Sequence, residues 1–361
     1  MDWELTMKCN LDCSYCRSGP DGCHDNSTEH PPLDECLKTI DFMFEYADIY
    51  MQTKPRGIKY VVLNIYGGES LHYPDILKIL TAVRQRYSKY QDAWNLVITT
   101  TTNGIVSDQK FSKIIPMIDE FTMSYHAGAT EKQQTQFRKN LLAVKNAGVR
   151  QKCIVLMHPE PENFKKAQAM IDWLKQHDIK CLPRQIDSPK IDSVNKYKDS
   201  SHIVWFEKFY KQKIRNPLTV SLSDIKMTSR GDYDITSTGR ACCGGRYLCG
   251  DQDHKSKQFF VANSFPDWHC SVNHFFVFIK QLTGAIYTNK DCKMNFENKV
   301  GPIGYLNDSD KLLEQTRSWM NNNNMPVIQC KKMRCLCGLC APKAESLSDY
   351  NTIMSKFLLK K

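Results

Sequence analysis

Three cysteines stand within eight positions near the start of the chain, Cys9, Cys13 and Cys16 in KCNLDCSYCR. Their spacing is C-x3-C-x2-C, and three is an odd number for a thiol site. A structural zinc ion takes four donors and a disulfide two. A loop that puts three thiolates on an iron–sulfur cube leaves the fourth iron without a protein ligand. That iron can bind a substrate or cofactor directly, as an open position does in catalytic metal sites. The alternative is a zinc site completed by a more distant residue, such as Cys23 or His24.

The chain has 16 cysteines in 361 residues. In a reducing compartment such residues persist as metal ligands, catalytic thiols or buried small hydrophobes. Clustering favours ligation. Beside the N-terminal triplet, nine fall in the last third: Cys242, Cys243 and Cys249 in RACCGGRYLCG, then Cys270 and Cys292, then Cys330, Cys335, Cys337 and Cys340 in QCKKMRCLCGLC. Two four-cysteine clusters would use eight of them, and zinc is the competing metal. Cys23, Cys36, Cys153 and Cys181 are scattered and read as structural. The acidic start MDWEL is no secretion signal, and no apolar run reaches membrane-spanning length. The expectation is a soluble cytoplasmic protein. The net charge of +10 is compatible with a polyanionic partner, although the basic residues form no arm.

Positioning such a site falls to the first 187 residues, where strand and helix patterns alternate. Strands are expected at Trp3–Met7, Ile58–Ile65, Asn95–Thr100, Glu120–Ser124, Cys153–Met157 and Lys180–Gln185. Helices are expected at Leu33–Tyr50, Pro74–Tyr87, Gln109–Ile118, Glu131–Ala147 and Asn163–His177. In the first helix Leu33, Cys36, Leu37, Ile40, Met43, Phe44 and Ala47 share one face. The alternation implies a parallel sheet, either open and doubly wound or a full or partial β/α barrel. Both gather chemistry at the C-terminal ends of the strands. The notable motifs do follow strands: the cysteine triplet, then YGGES (Tyr66–Ser70), TTTTNG (Thr99–Gly104), SYHAG (Ser124–Gly128) and PRQID (Pro183–Asp187). Residues 188–240 read as a connection with a helix at His202–Lys213, 241–345 as a cysteine-rich domain, and 346–361 as a tail with a short helix over Ser346–Leu359.

LTMKCNLDCSYC after the first strand and YGGES after the second resemble the radical S-adenosylmethionine (radical SAM) superfamily. The likeness covers about the first 187 residues. It implies an α/β fold, a partial (β/α)6 barrel. Cys9, Cys13 and Cys16 would hold a 4Fe–4S cluster, and the amino and carboxylate groups of SAM would take its fourth iron. By the same resemblance Tyr15 packs near the adenine, and Gly67, Gly68 and Glu69 meet the SAM amino group. Thr102, Asn103 and Ser124 contact the ribose and methionyl carboxylate, with which Arg184 pairs. Tyr125 and His126 are candidates to face the substrate. The activity implied is reductive cleavage of SAM to a 5′-deoxyadenosyl radical that removes a substrate hydrogen. An external one-electron reductant of flavodoxin or ferredoxin type would supply the electron.

The span WHCSVNHFFVFIKQLTGAIYTNKDC, with a strand pair and a turn at Thr283–Gly284, resembles the SPASM or twitch extension. That implies one or two auxiliary 4Fe–4S clusters on the C-terminal cysteines, although the spacing of the last four departs from the usual pattern. SPASM relatives modify peptides as maturases or epimerases, often with an N-terminal leader-binding domain for which this chain shows no room. RACCGGRYLC and CLCGLCAPKA resemble bacteriophage radical SAM proteins that rearrange an amino-acid-derived group on thymine in DNA. Three readings follow: an isomerase acting on a modified DNA base, a peptide-modifying enzyme, and a non-enzymatic zinc or iron–sulfur module that binds nucleic acid.

Overall fold

The computed structural model describes residues 1–13, 15, 16, 25–52, 60–186, 205, 225–227, 233–235, 267–289, 293–331 and 343–358. Strands β1 (Asp2–Thr6), β2 (Tyr60–Gly67), β3 (Asn95–Thr102), β4 (Glu120–His126), β5 (Arg150–Met157) and β6 (Cys181–Gln185) lie side by side in chain order. Each is parallel to the next. Between them run α1 (Leu33–Gln52), α2 (Ile76–Tyr87), α3 (Asp108–Ile114), α4 (Glu131–Asn146) and α5 (Pro161–Gln176). A doubly wound sheet needs a point where strand order reverses. None occurs across β1–β6. Crossovers of one hand in one direction put every helix on the same face, and the sheet curls around the other. The chain is therefore an α/β protein with a partial (β/α)6 barrel.

Side-chain alternation sorts the two faces of the sheet. Trp3, Leu5, Leu63, Ile65, Ile98, Phe121, Met123, Tyr125, Cys153, Val155 and Met157 are buried in one core against the helices. Glu4, Asn64, Tyr66, Thr99, Thr122, Ser124 and His126 occupy the intervening positions, on the inner face. On α1 the expected stripe holds except at Leu37, which is 37% exposed. A second buried face carries Phe42, Tyr46, Ile49 and Tyr50. It is covered by later parts of the chain: α7 (Ser309–Asn321) packs on α1, and the Tyr50 hydroxyl donates to the Asn273 carbonyl oxygen.

Those later parts are not a detached unit. A hairpin of β10 (Phe278–Lys280) and β11 (Ala285–Tyr287) turns at Gln281–Gly284, where Gly284 adopts a left-handed φ of 64°. It carries on to β12 (Gly304–Tyr305), and β10 pairs in parallel with β1. The result is one nine-stranded sheet, so the strands cross the boundary expected at residue 241. Before the hairpin come β7 (Ile225–Met227), β8 (Tyr233–Ile235), β9 (His269–Cys270) and α6 (Val272–Phe275). A small sheet sets β9 between β13 (Ile328–Gln329) and β14 (Lys343–Ala344), and α8 (Leu347–Leu358) closes the description. Of the expected helix His202–Lys213 only Trp205 is among the described residues. No described helix is long and apolar enough to cross a membrane.

Candidate active site

The cysteine loop begins where β1 ends, and the end of β2 braces it. The Gly68 amide donates to the Thr6 carbonyl at 2.8 Å and the Glu69 amide to the Lys8 carbonyl at 2.8 Å. This approach leaves no room for a side chain. A Cβ on Gly67 would lie 2.1 Å from the Thr6 carbonyl oxygen, and one on Gly68 would lie 2.4 Å from those of Met7 and Lys8. The two glycines admit the backbone that leads into the cysteines.

Glu69 is 1% exposed. Its carboxylate accepts from the Thr102 hydroxyl at 2.6 Å, the Asn103 amide at 2.6 Å and the Leu71 amide at 3.1 Å. Burial raises its pKa, and these hydrogen bonds oppose the rise. Thr102, on the helix-facing side of β3, thus reaches Glu69 at the strand end. The Asn103 side chain turns to the cysteine loop. It donates to Asn10 Oδ1 at 2.7 Å and lies 3.7 Å from Cys9 Sγ, which also receives the Leu11 amide at 3.4 Å.

Tyr15 stands between Cys13 and Cys16 in the loop. Burial raises the pKa of the Tyr15 hydroxyl above its ordinary range, and Cys13, Cys16 and Cys9 raise it further. That hydroxyl sits 2.7 Å from His126 Nδ1, which is 3.4 Å from Cys13 Sγ. The Tyr15 and His126 rings stack at 6.0 Å with 10° between planes. Burial lowers the His126 pKa to about 4, so at neutral pH the ring is uncharged.

His158, absent from the sequence expectations, meets the Tyr15 ring edge-on at 5.4 Å. It follows β5 directly, so the strand-end rule that picked out the other motifs could have found it. Its Nδ1 accepts from the Glu160 amide at 3.3 Å.

Ser124 lies on the inner face of β4 with His126, and pairing of His126 with Leu156 and of Leu156 with Arg184 puts Arg184 in the same row. Tyr125 does not belong there. Successive residues of a strand point to opposite faces, and Tyr125, 1% exposed, donates its hydroxyl proton to Gln134 on α4 at 2.8 Å and packs on Phe137. Of the two substrate-facing candidates only His126 is on the cysteine side.

No three or more His, Cys, Asp or Glu side chains among the described residues converge on a single metal ion. Cys9, Cys13 and Cys16 fit a cluster better than a single ion, because each thiolate of a cube holds a different iron. The N–H groups aimed at Cys9 Sγ suit a sulfur that carries negative charge. Cys23 and His24, the zinc alternative, lie outside the described residues.

Of the C-terminal cysteines, Cys270 and Cys330 are described. Both are buried. Cys270 pairs in register with Ile328, and the ladder continues through the Cys330 amide to the Trp268 carbonyl at 2.9 Å, which puts the two cysteines on one face. Cys242, Cys243, Cys249, Cys292, Cys335, Cys337 and Cys340 lie outside the described residues.

No protein-family model and no curated protein matches the chain. Solved structures that are similar to it include native anSMEcpe with bound AdoMet. That match has 11% identity over 90% of this chain and 81% of the other, with a TM-score of 0.49. The same protein with bound AdoMet and Kp18Cys peptide has 11% identity, the same coverage and a TM-score of 0.48. Likeness at this level carries no conclusion about residues or chemistry.

Proposed function

We propose that the chain is a radical SAM enzyme. The observation that carries this reading is the loop of Cys9, Cys13 and Cys16 at the C-terminal edge of a partial (β/α)6 barrel, braced from behind by the backbone of Gly68 and Glu69. When bound, a 4Fe–4S cluster and SAM would supply one-electron cleavage to a 5′-deoxyadenosyl radical, the hard part of the chemistry. The protein's part is to hold and enclose. Gly67 and Gly68 fix the loop against β2, while Glu69 ties β2 to β3 below it. Tyr15, His126 and His158 form an aromatic wall between the loop and the ends of β4 and β5. Ser124, His126 and Arg184 supply polar groups along the inner face, where a substrate would lie across the barrel mouth.

For the substrate, a DNA base is the reading that the net charge of +10 supports. A base acted on here must leave the stack to bring a C–H bond to the inner face, and aromatic rings at the mouth suit a flipped or single-stranded base. Cys270 and Cys330, on one face of the small sheet, would serve an auxiliary cluster.

The test is iron and sulfide per chain after anaerobic reconstitution, with 5′-deoxyadenosine release on reduction, beside a variant with Cys9, Cys13 and Cys16 all changed to alanine. The reading expects the variant to lose about four irons, one cube, and all 5′-deoxyadenosine. Dominant zinc with no iron difference would leave a metal-stapled binding module. Retention on single-stranded DNA that falls steeply with salt separates a nucleic-acid substrate from a peptide.

A further inference from the structure

We propose that Asn103 sets the electron affinity of the iron–sulfur group through an N–H donated to the Cys9 sulfur. The inference rests on the reading above, that Cys9 is a cluster ligand. It concerns a residue whose expected task was contact with the cofactor's ribose or carboxylate.

The hydrogen bonds leave the Asn103 amide one orientation. Its Oδ1 accepts from the Ile105 amide at 2.9 Å, and its Nδ2 donates to Asn10 Oδ1 at 2.7 Å. Asn10 is fixed in turn, because its own Nδ2 donates to the Ile105 carbonyl at 2.7 Å. Turning the Asn103 amide over would set its NH2 against the Ile105 N–H and its oxygen against Asn10 Oδ1. The second hydrogen on Nδ2 is then available to Cys9 Sγ, 3.7 Å away. From behind, the backbone amide of Asn103 is held by Glu69 Oε2 at 2.6 Å. The buried residue therefore presents an N–H to the sulfur through a closed ring of bonds, and the Leu11 amide adds a second at 3.4 Å.

Reduction adds one electron to the iron–sulfur group, and part of the added charge falls on its sulfur ligands. One electron leaves an external one-electron reductant and enters the group. No proton moves, and no bond is made or broken. A donor aimed at Cys9 Sγ stabilises the reduced form more than the oxidised form, so it raises the potential. Asn103 acts through Cys9 and is a positioning residue.

The experiment compares the full-length reconstituted protein with Asn103→Ala and Asn103→Asp. All are titrated with dithionite in the absence of SAM and followed by electron paramagnetic resonance, with iron counted in each. Asp keeps the acceptor for the Ile105 amide but removes the donor, so it guards against a variant that fails to assemble. The expected result is unchanged iron and a lower midpoint in both. At a fixed potential the reduced-to-oxidised ratio should fall about tenfold in Asn103→Ala, a shift of about 59 mV for one electron. It should fall further in Asn103→Asp, where a negative charge faces the sulfur. Iron-loaded variants with the parent's midpoint would overturn this inference alone. A parent that assembles no iron–sulfur group would overturn the radical SAM reading as well.

Discussion

The two sets of cysteines come together by different means. Cys9, Cys13 and Cys16 are close because one short loop carries them, and the Cys16 amide bonds the Cys13 carbonyl at 2.9 Å within it. Cys270 and Cys330 come from distant parts of the chain and share a face only because β9 and β13 pair in one register. A site of the first kind needs little of the fold beyond a bracket at each end of the loop. One of the second kind exists only once its sheet has formed. Local disturbance should therefore silence the first while sparing the fold, and the second should fail together with stability.

The largest effect tests that contrast directly. Changing Cys9, Cys13 and Cys16 to alanine should abolish 5′-deoxyadenosine release with little change in melting temperature, since none of the three is buried. Cys270→Ser should keep the release but cost about 1–3 kcal/mol, because it puts a more polar side chain at a buried position between β13 and β14. Thermal melts beside product assays decide it, and equal losses of stability would break the comparison.

Gly68→Ala comes next. Its Cβ would meet the Met7 and Lys8 carbonyl oxygens at 2.4 Å, and backbone cannot swing aside as a side chain does. A loss of about 1–3 kcal/mol is expected, with a lower iron content than any substitution on α1 produces.

Glu69→Gln probes the tie below the loop. Burial raises the Glu69 pKa in the folded state. Its contribution to stability is therefore fully present below the unfolded carboxyl value, about 4.3, and is lost as pH rises through the raised folded value. Melts across pH should show the parent's margin over Glu69→Gln widest in acid and narrowing as pH climbs. A constant margin would mean that Glu69 titrates as it does when unfolded.

The smallest effect is Tyr125→Phe, which removes the hydroxyl that bonds Gln134. It should cost about 1 kcal/mol and leave SAM cleavage unchanged. His126→Phe should alter cleavage. Equal catalytic losses at the two neighbours would mean that the two faces of β4 are not separated as the structure places them.

Helices α1–α5 and strands β1–β6 were legible because their signal is local. Hydrophobic period and the polar residues that end each strand lie within a few positions of one another, and the observed ends fall within a few residues of those expected. The cysteine triplet was legible for the same reason. Pairing of β10 with β1 was not, since nothing in Phe278–Lys280 names its partner. The sequence pattern grouped Tyr125 with His126 by adjacency, although strand geometry divides them. His158 went unnoticed because MHP carries no glycine or repeated polar residue to mark it. Asn103 was noticed, but its partners Asn10 and Cys9 emerge only when two strand ends meet.

The pairing of β1 with β10 also bears on how the protein is made. Trp3 donates its indole N–H to Gln281, 278 residues later, and Gln281 also receives the Thr39 hydroxyl of α1. On the ribosome, β1 can find β2 early, but its other edge stays bare until the last third of the chain emerges. An uncovered strand edge is a template for the wrong partner. The strand that launches the cysteine loop is thus made long before the strand that encloses it.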